Sequence, residues 1–233
     1  MAIHYLNINN KELYVETHGK MTGKAILYLH GGPGEGCFDF SMNQTHRLNN
    51  FFRLVVIDQR GVCRSEEIFK EESFGINHLI EDCEELRIQL GISKWSIIGH
   101  SFGGYLAVLY ANRYPFKLIE NGRYDHFQYT DIDKKKEVDM IDKELRTDAY
   151  FQKKVFSLKE YFDDFTELLR EIQKPTLIIA GKSDHAVGPN HHLTFPCENA
   201  VIHYINGGHH PYIENQDVFK EAVLSFVNDK KTV

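Results

Sequence analysis

The chain has 233 residues, 42% hydrophobic and 26% charged, with a net charge of −6, which suits one ordinary globular domain with a small inserted lobe. The acidic balance carries no basic stripe, which argues against a nucleic-acid or anionic-membrane partner, and no apolar run is long enough to cross a bilayer. Met1-Ala2-Ile3-His4-Tyr5-Leu6-Asn7 lacks the basic start and apolar stretch of a signal peptide, so a cytoplasmic location is expected.

Ile3 to Ile8 and Leu13 to Thr17 alternate as antiparallel strands do, whereas Ala25 to Leu29 and Leu54 to Ile57 are continuous apolar runs of the kind found in buried parallel strands. From Ile76 to Leu90 the apolar residues Ile76, Leu79, Ile80, Cys83, Leu86 and Leu90 recur at three and four, opposite Glu81, Asp82, Glu84 and Glu85. That spacing predicts an amphipathic helix packed on a sheet and ended by Gly91. A strand at Trp95 to Ile98 follows, then a helix to Tyr114 that Pro115 stops. Thr176 to Ala180 and Ala200 to Ile205 read as strands, and Val218 to Val227 as a closing helix. Strands alternating with helices predict an α/β architecture with a mainly parallel sheet.

The stretch 121–173 breaks that rhythm. It is rich in Lys, Asp and Glu, with helical apolar spacing in Val138, Ile141 and Leu145 and again in Tyr161, Phe165, Leu168, Leu169 and Ile172. Two or three short helices are expected, forming a cap over the carboxyl ends of the strands. The core would then be 1–120 with 174–233. Only Phe116-Lys117-Leu118-Ile119 precedes the polar turn at Glu120-Asn121-Gly122, so the cap is either compact or lacks residues between Leu118 and Asp125, and the second is the expectation.

Gly99-His100-Ser101-Phe102-Gly103 lies between the strand at Trp95 and its helix. A serine on so sharp a turn is a nucleophile elbow: the two glycines leave room for the turn, and the hydroxyl is pushed out above the sheet. A serine needs a base, and the base an acid to orient it. Asp184 follows the strand at Thr176, in Gly181-Lys182-Ser183-Asp184, and His209 follows the strand at Ala200, in Asn206-Gly207-Gly208-His209-His210-Pro211. The order Ser, Asp, His is the one this elbow requires. His209 is preferred to His210 because the Gly207-Gly208 turn brings it to the rim first. Two backbone donors should hold the oxyanion. One is the amide of Phe102, which opens a helix; the other is Gly32 in the loop His30-Gly31-Gly32-Pro33-Gly34, with Gly31 as fallback.

No metal is expected. Of thirteen histidines, His191-His192 and His209-His210 are adjacent pairs that diverge, and no HExxH is present. Cys37, Cys63, Cys83 and Cys197 are scattered and read as reduced packing thiols.

The loop at His30, Asp58-Gln59-Arg60-Gly61-Val62-Cys63-Arg64-Ser65, the elbow with Gly104, and Gly208-His209-His210-Pro211 together resemble the α/β-hydrolase superfamily, in particular its prolyl-aminopeptidase-like (proline iminopeptidase) branch. The likeness covers both ends of the chain and skips the middle. It implies an α/β-hydrolase fold, no cofactor, a small-molecule or short-peptide substrate, and a role for Asp58 and Arg60 in organising the loops below the site; a surface ion pair is the simpler reading of Arg64. Three features depart from it. Cys63 stands where a glycine is common, which costs little if the backbone there is not left-handed. His185 occupies the place beside Asp184 where some relatives carry a Glu for the substrate amine, and the cap is short. The leading expectation is a serine hydrolase acting on a small peptide or amide with a free N-terminus. A carboxylesterase or lactonase is the close alternative, and an inactive ligand-binding protein of the same fold is the alternative of another class.

Overall fold

A computed structural model describes residues 1–114, 117–121, 133–134, 149–188 and 190–229. Eight strands form one sheet in the order β1-β2-β4-β3-β5-β6-β7-β8. They are β1 (Ala2–Ile8), β2 (Lys11–His18), β3 (Lys24–Leu29), β4 (Phe52–Ile57), β5 (Trp95–His100), β6 (Lys117–Asn121), β7 (Thr176–Gly181) and β8 (Ala200–Ile205). The β1–β2 hairpin turns on Asn9 and Asn10, both at positive φ (49° and 63°), the backbone that lets a two-residue loop follow the strand twist. The pair β2–β4 is also antiparallel, and every pairing from β4 onward is parallel.

Alternate side chains feed two cores. Leu27, Leu29, Val55, Ile57 and Ile97 face one cluster, shared with helices α1 (Ile76–Gln89) and α2 (Phe102–Arg113). Ile26, Tyr28, Leu54, Val56 and Ile98 face the other, with the helical stretch 38–48, the short α5 (Pro211–Glu214) and α6 (Gln216–Asn228). Both faces of the central strands are therefore covered, which is why they read as unbroken apolar runs. The helix α1 ends with Gly91 at φ 63°, as the sequence predicts.

From β3 the chain crosses to β4 on one side, and from β4 it returns through α1 to β5 on the other side of β3. Such a reversal opens a crevice beyond the carboxyl ends of the two strands concerned. With Leu29 paired to Gly99, β3 and β5 end at the same level, so the His30 loop and Ser101 enter that crevice together.

Two regions differ from the sequence reading. The helical stretch 38–48 was not foreseen: Phe40, Gln44 and Leu48 are buried four apart, but the middle one is polar and hides the period. The expected helical run from Tyr161 to Ile172 is broken. A 3₁₀ turn (Lys159–Phe162) is followed by extended Asp163, and the carboxylate of Asp164 accepts the Thr166 N–H at 2.9 Å before α4 (Thr166–Glu171) begins; a short acidic side chain here competes with the helical ladder. Upstream lies α3 (Ala149–Ser157). Phe151, Val155, Tyr161, Leu169 and Ile172 join the core of α1 and α2, and Tyr161 lies 5.9 Å from the ring of Phe102. This part of the 121–173 insertion thus rests on the first turn of α2. The expected helix around Val138, Ile141 and Leu145 lies outside the described residues; of the stretch between Leu118 and Asp125 where residues were expected to be missing, 118–121 run without a break in β6, and 122–125 lie outside the described residues.

Candidate functional site

Ser101 holds φ 52° and ψ −116°, a backbone that a non-glycine residue adopts at a cost of about 1–3 kcal/mol. Its neighbours explain how the turn closes. A Cβ on Gly99 would lie 2.4 Å from the Gly103 carbonyl oxygen, and one on Gly103 would lie 2.1 Å from that of Leu29. Neither position admits a side chain. The Ser101 carbonyl accepts the N–H groups of Gly104 and Tyr105, and the Phe102 N–H is one of the first-turn amides that have no acceptor within a helix.

The glycine loop after β3 lies against this turn. A Cβ on Gly31 would come 3.2 Å from Ser101 Cβ and 2.7 Å from His100 Nδ1; one on Gly32, at φ 109°, would meet the Gly34 nitrogen at 2.5 Å. The Gly32–Pro33 bond is cis. His30 pins the loop from below. Burial lowers its pKa, so the ring is neutral: Nδ1 donates to the Gly31 carbonyl at 2.9 Å, and Nε2 accepts the Gln59 N–H at 3.0 Å. Of the expected oxyanion donors, Phe102 directly follows Ser101 and the fallback Gly31 packs against the serine, whereas the nearest neighbours of Gly32 lie within its own loop.

Asp58 accepts the Cys37 N–H at 2.8 Å and pairs with Arg64 through Nε at 2.6 Å, while the Arg64 guanidinium stacks 3.7 Å above Tyr14. With Asp58 wholly buried, Arg64 belongs to the scaffold and not to a surface pair. Arg60 instead grips buried Asp82 with two bonds of 2.7 Å. Cys63 has φ 48°, so the condition under which its replacement of glycine would cost little is not met. The residue sits in the left-handed region, where an L side chain crowds its own carbonyl.

Asp184 and His209 are brought together from separate loops. His209 Nδ1 donates to Asp184 Oδ2 at 2.9 Å, and Asp184 Oδ1 accepts the N–H groups of Ala186 and Val187 at 3.1 and 3.4 Å. His209 is 1% exposed, and its Nε2 has no hydrogen bond to any described residue, Ser101 included. The imidazole is thus oriented by a carboxylate on one side and offers a bare lone pair on the other, which suits it to accept a proton. His210 points elsewhere. Its ring lies 4.5 Å from that of His100, and burial, reinforced by the neighbouring histidines, pushes the pKa values of both well below the ordinary histidine range. Of the two adjacent histidines, His209 is the one whose ring is hydrogen-bonded to Asp184.

Three supporting residues escaped the sequence reading. His100 donates from Nε2 to the His209 carbonyl at 3.2 Å, tying the serine turn to the histidine loop. Tyr212 donates to Asp39, and Glu214 accepts the Gly208 N–H at 2.7 Å. Only their closeness in sequence to Ser101 and His209 could have marked them. Among the described residues no group of three His, Cys, Asp or Glu is placed to hold a metal ion, and no helix is long and apolar enough to cross a membrane.

The sheet order, the strained serine at the switch point and the carboxylate-oriented histidine define the α/β-hydrolase fold, and a family model of that fold matches residues 24–118. The relatives lie in a particular branch. Over 112 residues the chain is 39% identical to the proline iminopeptidase of Xylella fastidiosa (strain 9a5c), covering 48% of this chain and 35% of that protein. It is 38% identical over 118 residues to the putative proline iminopeptidase of Mycoplasma genitalium, covering 48% and 36%. The matched part thus spans about a third of the length of these relatives. Among solved structures, the proline iminopeptidase-related protein of Thermus thermophilus superposes with a TM-score of 0.85 at 22% identity, over 97% of this chain and 96% of that one.

Proposed function

We propose that this chain is a serine hydrolase in which Ser101 attacks a substrate carbonyl, His209 takes and returns the proton, and Asp184 orients and stabilises the imidazolium. The observation that carries this reading is the buried Asp184–His209 pair with its unpartnered Nε2, in a fold that puts Ser101 on a strained turn at the switch point. In the addition step the Ser101 Oγ–carbon bond forms as its proton passes to Nε2. The carbonyl oxygen gains a negative charge that the amides of Phe102 and Gly32 hold. His209 then protonates the leaving amine, and water, activated by the same nitrogen, releases the acyl group. These steps use only the chain's own groups, so the proposal includes no cofactor. Likeness to proline iminopeptidases supports a small peptide or amide with a free N-terminus as substrate.

A fluorophosphonate probe should label the chain, and Ser101→Ala should abolish labelling. On an amino-acid p-nitroanilide, Ser101→Ala and His209→Ala should each lower kcat by on the order of 10⁴ to 10⁶, because members of such a unit fail together. His210→Ala should cost far less. Labelling or turnover that survives Ser101→Ala would remove the serine from the mechanism, and a dead His210→Ala beside an active His209→Ala would move the base.

A further inference from the structure

The side chain just before the candidate nucleophile turns inward and meets every other part of the site. His100 ends β5 and is 2% exposed. Its Nε2 lies 3.2 Å from the His209 carbonyl oxygen, and its Nδ1 is 2.7 Å from the point where a Cβ on Gly31 would stand. Behind it the ring packs against His210 at 4.5 Å and against the edge of Tyr212 at 5.0 Å.

A neutral imidazole has a single N–H. Burial, reinforced by His209 and His30, pushes the His100 pKa well below the ordinary histidine range, so this ring has one proton to place. Two acceptors compete for it: the His209 carbonyl beside Nε2, and the Tyr212 hydroxyl oxygen 3.5 Å from Nδ1. The second can be served otherwise, because His210 Nδ1 lies at the same 3.5 Å from it. The first accepts no backbone N–H among the described residues, and a buried carbonyl without a donor carries its full desolvation cost. The proton therefore belongs on Nε2.

The carbonyl it holds belongs to the residue whose ring bonds Asp184. The backbone leading to it passes through Gly207, at φ 146°, and Gly208, two residues that resist pivoting least. A donor from the serine turn fixes the chain at the far side of that pivot, so one bond links the spacing of Ser101 and His209. We propose that His100 is a positioning residue for the base: its Nε2–H bond to the His209 carbonyl keeps the His209 imidazole on Asp184 at a set distance from Ser101. This rests on the serine-hydrolase reading above. Tyr212, anchored through its hydroxyl to Asp39 and through its carbonyl to Gln44 Nε2 at 2.6 Å, backs the His100 ring and keeps it from swinging away.

NMR of the isotope-labelled full chain gives the first test. His100 should be the Nε2–H tautomer, and an Nδ1–H ring overturns the proposal before any variant is made. Two variants give the second: His100→Leu keeps the bulk and loses the donor, whereas His100→Gln puts an amide N–H close to the place of Nε2. In His100→Leu the His209 Nδ1–H proton that Asp184 accepts should exchange with water faster by about tenfold or more, while the amides of β3 and β4 exchange as in the parent. On alanine p-nitroanilide its kcat should fall about 10²-fold, the cost of a displacement near 1 Å, with KM within about twofold. His100→Gln should return both readouts to within a few-fold of the parent. Equal losses in the two variants, an unchanged His209 proton in His100→Leu, or faster exchange throughout β3 and β4 each overturn the proposal. Should His100→Leu not fold, the tautomer and His100→Gln decide, and a glutamine variant that loses about 10²-fold in kcat overturns it. If the parent neither turns over the anilide nor takes a fluorophosphonate label, the serine-hydrolase reading fails by itself, and the tautomer and the proton exchange still decide what His100 holds.

Discussion

The serine half and the acid–base half of the candidate site both depend on glycines that let two backbones nearly touch, yet they are built by different means. On the serine side Gly103 packs α2 against the end of β3, 2.1 Å from the Leu29 oxygen if it carried a Cβ, so two regular elements are locked together. On the other side Gly181, at the end of β7, would bring a Cβ to 2.0 Å from the Gly208 oxygen, but its partner is a loop. Hydrogen bonds hold that loop: Ser183 N–H to the Gly207 carbonyl at 3.0 Å, and Gly208 N–H to Glu214 at 2.7 Å. Serine is positioned by steric exclusion, histidine by a set of polar ties. The first arrangement cannot bend; the second can shift as a unit.

Alanine at each glycine should separate the two. Gly103→Ala has nowhere to relax, since both backbones belong to the core, and it should cost about 3 kcal/mol or more, enough to leave little stably folded chain in a urea titration. Gly181→Ala should cost about 1–2 kcal/mol as the histidine loop moves outward. Its main effect should be on activity, where a displacement near 1 Å costs on the order of 10²-fold. Equal stability losses in the two variants would show that the contrast between locked elements and a tied loop is wrong.

That contrast also decides what could be read from the sequence. Steric exclusion leaves a local signature, so Gly99, Ser101 and Gly103 announce the elbow within five residues, and the apolar runs of β3, β4 and β5 fix the sheet on either side of it. The pairing of Asp184 with His209 was legible only as an order of loops after strands, because the tie between them spans 25 positions. Long-range polar contacts leave no pattern at all. Nothing in Arg64 marks it as the partner of buried Asp58, or Arg60 as the partner of Asp82, and the spacing of Tyr161, Phe165 and Ile172 suggested one helix where Asp164 breaks the run. The stretch 38–48 was missed because Gln44 is buried for its bond to the Tyr212 carbonyl at 2.6 Å, a reason invisible to hydropathy.

Acid should loosen the seam between the halves. His30, His100 and His210 are buried, and burial lowers the pKa of each, so they are neutral in the folded chain and take up protons on unfolding once the pH is below about 6.5. Their contribution to stability is complete above that value and is lost as pH falls, at up to about 1.4 kcal/mol per pH unit for each ring. Glu16, whose pKa is lowered by its bonds to His18, Ser41 and Tyr14 against the opposing effect of burial, adds a loss of the same sign below the ordinary carboxylate range. Urea titrations between about pH 7 and pH 5 should show this slope, and His210→Phe should reduce it by the share of one histidine. A slope unaltered in His210→Phe would mean that ring does not stay neutral in the folded chain.

The smallest effect belongs to the second strained residue of the serine side. Ser101 and Cys63 both have positive φ, 52° and 48°, but only at Cys63 can the strain be relieved without deleting a candidate nucleophile. Its thiol fills the space over Gly36, where a Cβ would sit 2.7 Å from Sγ, and reaches the Glu35 carbonyl. Cys63→Ala removes those contacts and keeps the left-handed backbone. Cys63→Gly removes them too, but also releases about 1–2 kcal/mol of backbone strain against a gain in unfolded-state freedom of about 0.5–1 kcal/mol. The glycine variant should therefore be the more stable of the two by about 0.5–1 kcal/mol in paired urea titrations. If alanine proves equal or better, the left-handed geometry at Cys63 costs nothing, and strain on the serine side is confined to the elbow.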